Sequence, residues 1–230
     1  MLKLHLRYLL SRFNVLTIGV IIVLYTGGLI INLFSIPREI SSFLARELYF
    51  NNLISLLKLI VVLLVVFLFA TVSMPSNDNY QLCVLNKRKE RIKYYFTKII
   101  SLILVILIIF LILFMLFVLL GLLATSWYKI ELNHVKFFIF LFLESLMYGL
   151  LVYNLVKVLK SIMVIIIPCL IIILEEAFIN ESFINYLSYL FPVIENNHEI
   201  SLSYGVIHII ILCVCYLILG LIKSYTLDIK

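Results

Sequence analysis

Between Lys98 and Lys129 the chain carries no charged residue, and nearly every position there is Ile, Leu, Phe, Val or Met. A stretch of about 20 apolar residues suffices to cross the roughly 30 Å hydrocarbon core of a bilayer. This one exceeds that, so it must tilt or project beyond the membrane. It is not isolated. Apolar residues make up 65% of the 230-residue chain and charged residues 13%. A soluble domain has about 45–50% and about 25%. A soluble enzyme of this size cannot hide such an excess. A disordered chain would need the opposite bias. The composition selects a helical membrane protein that crosses the bilayer several times.

Six spans are expected: Val15–Ile36, Leu53–Ser73, Ile99–Thr125, Phe137–Leu159, Ile162–Leu174 with a short extension to 180, and Tyr204–Ile222. All belong to one all-α transmembrane domain covering 1–230. Pro168 predicts a kink or break in the fifth span. The net charge is +6, which in a soluble protein would suggest a nucleic-acid partner. In a membrane chain it reflects basic residues held on the cytoplasmic side, and no nucleic-acid partner is expected. With the N-terminus inside, thirteen of the eighteen Lys and Arg residues fall on cytoplasmic segments and four outside, with Lys58 in the second span. Both termini are therefore expected in the cytoplasm. No Cys-x-x-Cys pair supports a metal or redox site.

Three segments outside the spans carry further expectations. Residues 1–14 place Leu2, Leu6, Leu9, Leu10 and Phe13 on one helical face and Lys3, Arg7, Ser11 and Asn14 on another, the pattern of a helix lying in the membrane surface. Pro37–Asn52 reads as an external loop with a short surface helix and no chemistry. Residues 181–203 read as an external cap. Within it Phe183, Ile184, Leu187, Leu190 and Phe191 form an apolar helical face too short to cross, ended by Pro192.

The main cytoplasmic loop, 74–98, holds six Lys or Arg residues. Asp78 and Gln81 form a candidate capping box ahead of a short helix with Tyr80, Leu82 and Leu85. Asn86–Arg91 reads as a charged break, and Ile92–Lys98 as the lead into the third span. A short helix with apolar residues and a basic edge is suited to docking another protein. The bland alternative is a loop that only fixes topology.

Ionisable groups inside the bilayer cost at least about 2.5–3.5 kcal/mol on insertion scales, so each needs an account. Glu144 is expected about seven residues, roughly 10 Å, into the fourth span. Lys58 could pair with it or reach the interface. Ser145 and Gly149 form a small-xxx-small pair that favours close helix contact. Asn154 and Asn32 are expected to bond within or between helices, and His208 to bond a neighbouring helix. Glu175-Glu176 resembles the start of the EExxxR motif of CAAX-type intramembrane proteases. Asn180 stands where the Arg should be, and the histidines are wrongly placed, so this reading is set aside.

The layout resembles the membrane subunit of ABC-2 type transporters. The resemblance rests on a surface helix before the first span, six spans with both ends inside, and the loop between spans two and three. Within that loop it rests on the run from Asp78 through Lys87-Arg88-Lys89-Glu90-Arg91 to Tyr94-Tyr95-Phe96-Thr97-Lys98. The Pro usual in the family's basic turn is missing here. The resemblance implies a translocation path formed by two permease subunits, identical or paired with a relative. It implies cytoplasmic ABC ATPase subunits beneath them, coupled through Asp78, Asn79, Tyr80, Leu82, Leu85, Arg88 and Arg91. Lys58, Glu144 and Asn154 are then intramembrane polar candidates for the path. The chain has no GxxxxGK[ST] phosphate loop, so ATP and Mg would be held by the partner. The cargo implied is amphipathic or hydrophobic, with antimicrobial or cytolytic peptides foremost, and the location is a bacterial plasma membrane. The alternative is a non-transporting immunity or sensor scaffold whose acidic external cap binds a cationic peptide.

Overall fold

The computed structural model describes residues 12–36, 41, 44–45, 48–49, 61–62, 65–70, 88–124, 132–156, 166, 170 and 202–226. Among these residues every regular element is an α-helix. The four long helices are α1 (Arg12–Ser35), α2 (Arg88–Ala124), α3 (Leu132–Val156) and α4 (Leu202–Thr226). The first three are long and apolar enough to cross a membrane, and α4 is apolar over Val206–Ile222. The described residues are all-helical, and their long apolar helices mark a membrane protein. Hydrocarbon offers no partner to a backbone N–H or C=O, so an uncharged run of this length must close its hydrogen bonds within a helix.

Helix bounds differ from the sequence expectation in one instructive place. The expected charged break at Asn86–Arg91 is helical from Arg88 onward, continuous with the third span. Lys, Arg and Glu are good helix formers, and no Gly or Pro lies between Arg88 and Lys98. At 1.5 Å per residue the 37 residues of α2 reach about 55 Å, well beyond the hydrocarbon. Residues 12–14, expected in the surface helix, belong instead to α1, and α3 begins at Leu132, five residues before the expected Phe137. The described parts of the second and fifth expected spans, 61–62, 65–70, 166 and 170, are helical. The remainder of those spans, most of the surface helix, the loop helix and nearly all of the external cap lie outside the described residues.

In α1 and α2 one stripe is buried and an apolar stripe is left outside. In α1, Tyr25, Leu29 and Asn32 are buried at i, i+4, i+7, while Leu16, Val23, Leu24, Ile31 and Phe34 are exposed. In α2 the buried line runs Ile99, Leu102, Ile106, Ile109, Leu113 and Phe117. Exposed Ile and Leu are at home against lipid tails. From Glu144 to Asn154, α3 is buried nearly all round. It packs against α2 and, most extensively, against α4, while α2 also meets α1 and α4.

The register of α2 on α3 is antiparallel and written in aromatic rings. Phe110 meets Phe142, Phe114 meets Phe138 and Phe117 meets His134, edge to face with centroids 5.5, 5.0 and 5.3 Å apart. Each turn forward on α2 is matched by a turn back on α3. Such edge-to-face pairs align a ring's positive edge with its neighbour's negative face.

Candidate functional site

The most connected polar feature is a three-helix junction at the Arg88 end of the bundle. Tyr95 of α2 is almost fully buried, and its hydroxyl donates to the Leu217 carbonyl of α4 at 3.0 Å. Its ring tilts against Tyr153 of α3, with centroids 5.7 Å apart. One turn further along α2, Lys98 is buried with its Nζ 5.4 Å from the centroid of the Tyr153 ring. An ammonium over an aromatic face is attracted by the ring quadrupole, more strongly where water is excluded. The next residue of α3, Asn154, donates from Nδ2 to its own-helix Leu150 carbonyl at 3.0 Å and across to the Tyr216 carbonyl of α4 at 2.9 Å. Asn154 thus bonds both within and between helices.

Gly220 makes the junction possible. A Cβ built there would collide with the Tyr95 hydroxyl and lie 3.0 Å from two of its ring carbons. None of the described glycines has a positive φ, so Gly220 serves for space and not for backbone conformation. Gly149 of α3 plays the same part for Phe69, whose ring carbons would lie 2.5 Å from an added Cβ. By contrast, Gly19 and Gly27 of α1 have nothing within 4 Å.

The middle of α3 holds Glu144, which is completely buried. Because α3 starts at Leu132, Glu144 is twelve residues from either end of the helix, about 18 Å along the axis. Ser145 beside it is also completely buried. Thr26, Thr97, Ser101 and Ser224 each donate to the carbonyl four residues back. Ser145 Oγ makes no hydrogen bond among the described residues. His208 Nε2 likewise makes none among them.

At the Ala124 end, Asn32 of α1 donates to the Tyr49 carbonyl at 3.0 Å. Tyr49 stacks on Phe117 with centroids 5.2 Å apart and donates from its hydroxyl to the Phe117 carbonyl at 3.4 Å. Tyr49 lies in the segment expected to be an external loop without chemistry, yet it is completely buried. Before it, the Ser41 carbonyl accepts from Ala45 N at 3.0 Å.

The sequence-derived site residues divide sharply. Asp78, Asn79, Tyr80, Leu82, Leu85 and Lys58 lie outside the described residues. Arg88 opens α2, and Arg91 follows it on the same helix, half-buried. Glu144 and Asn154 are both on α3 but ten residues apart, about 15 Å along the axis, so they belong to two separate features. Tyr95, Tyr153 and Gly220 were given no role by the sequence. A solitary glycine retained in an apolar helix, where it costs about 1 kcal/mol against Ala, was the available signal for Gly220.

No protein-family profile matches the chain, and no curated protein matches its sequence.

Proposed function

We propose that the chain is the membrane permease subunit of an ATP-driven exporter in a bacterial plasma membrane. In this reading it crosses six times with both termini inside. It works with a second permease copy or a relative, and separate ABC ATPase subunits bind ATP and Mg. The cargo is amphipathic or hydrophobic, peptides being the leading class.

The observation that carries the reading is the continuity of α2. A foot bearing Arg88, Lys89, Arg91 and Lys93 runs without a break into the membrane-crossing part of the helix. Tyr95 ties it to α4 by a hydrogen bond and to α3 by its ring against Tyr153, and Asn154 in turn ties α3 to α4. A push on the loop before Arg88 would be carried into three helices together and not absorbed by a hinge. An ATPase that closes on nucleotide needs such a rigid connection. The loop helix Asn79–Leu85 is the proposed docking element, and Lys58 and Glu144 the proposed polar groups beside the path.

The deciding experiment is affinity purification of the full chain from its native host. A soluble protein with a phosphate loop should co-purify, and its ATP hydrolysis should change when the permease is present. Changing Leu82 and Leu85 to charged residues should abolish that association while insertion persists. Protection of cells in a strain lacking every such ATPase would favour the immunity scaffold.

A further inference from the structure

The outer face of α2 changes character along its length in a way that matches one kind of ligand. At about 100° per residue, Lys89, Lys93, Phe96, Ile100, Leu104, Leu107 and Leu111 fall within about an 80° sector. All seven are exposed, Phe96 at 43% and Ile100 at 49%. From Ile100 to Leu111 the face is wholly apolar and about 16 Å long, close to half of the roughly 30 Å hydrocarbon core. Phe96 stands at its edge. Lys93 lies about 4–5 Å further out, within a headgroup layer of about 5–7 Å per side, and Lys89 lies one turn beyond. Glu90 is also exposed, three residues before Lys93 and about 60° from it round the helix, outside the sector. Arg91 is half-buried and points to the opposite side.

We propose that this face is a binding site for an anionic phospholipid: its phosphate is held by Lys89 and Lys93, and an acyl chain lies along Ile100, Leu104, Leu107 and Leu111. A cationic end joined to an apolar strip one leaflet long is complementary to an amphiphile with a negative head. The site requires only that the chain be embedded in a membrane, so it stands apart from the transport reading. Its lysines stand on the same α2 foot as Arg88 and Arg91 but are not themselves among the coupling residues.

The test is native mass spectrometry of the purified full chain in neutral detergent with equal amounts of phosphatidylglycerol and phosphatidylcholine. Phosphatidylglycerol should be retained several-fold over phosphatidylcholine. The Lys89→Gln/Lys93→Gln variant should bring that ratio close to one, and Lys136→Gln on α3 should leave it unchanged. Inorganic phosphate should not displace the lipid. In parallel, acetylation of wild-type protein in vesicles should find Lys89 and Lys93 protected by phosphatidylglycerol but not by phosphatidylcholine, so the answer does not depend on the variant folding. An unchanged ratio in the double variant, an equal loss in Lys136→Gln, full competition by inorganic phosphate, or equal protection in both vesicles overturns the proposal.

Discussion

The ring of Tyr95 occupies the space that any side chain at position 220 would need. Two residues more than a hundred positions apart thus share one volume, and the Tyr95 hydroxyl closes the contact on the Leu217 carbonyl. Helices packed in lipid gain little from hydrophobicity itself, since lipid tails are as apolar as Leu. Association depends on close fit and on hydrogen bonds worth about 0.6 kcal/mol on average. This junction has both.

Tyr95→Phe should cost about 0.5–1.5 kcal/mol, the loss of one hydrogen bond. Gly220→Ala should cost about 1–3 kcal/mol by overpacking. The hydroxyl is the atom nearest the added methyl, so Gly220→Ala should cost less in the Tyr95→Phe background. Unfolding of the four proteins in detergent measures this. Strictly additive effects would show that the two residues do not share the space.

Gly149 and Gly19 give opposite expectations. Gly149→Ala should destabilise, because the added methyl meets the Phe69 ring, and Phe69→Leu should recover part of the loss. Gly19→Ala meets nothing within 4 Å and should be neutral or stabilising by up to about 1 kcal/mol, the usual advantage of Ala over Gly in a helix. Thermal midpoints of the three variants decide the order.

A double-mutant cycle tests whether Lys58 pairs with the buried Glu144. Lys58→Met and Glu144→Gln should each destabilise, and the double variant should not, because removing one partner strands the other charge. Independent effects would remove the pairing.

Two cysteines report topology. Cys83, in the loop between the second and third expected spans, should react with a membrane-impermeant maleimide only from the cytoplasmic side. Cys215 is exposed on α4 between Val214 and Ile218, which are themselves about half exposed. It should react only with a lipid-soluble reagent. Labelling of Cys83 in intact cells would invert the proposed orientation.

The helical class and the rough positions of four of the expected spans were legible in the sequence, because backbone satisfaction in hydrocarbon leaves an uncharged run no option but a helix. The burial of Glu144 was legible too, since a carboxyl within an apolar helix has to turn away from lipid. Arg88–Arg91, expected as part of a charged break, are helical because Lys, Arg and Glu favour a helix whatever their charge. What only the tertiary structure decided is which residues meet. Tyr49 looked like a loop residue and is sealed against Phe117; Gly220 looked incidental and seats Tyr95. Register between helices is set by shape at the scale of one side chain. In a chain whose buried and lipid-facing stripes are both Ile, Leu and Phe, no contrast of polarity along the sequence records it.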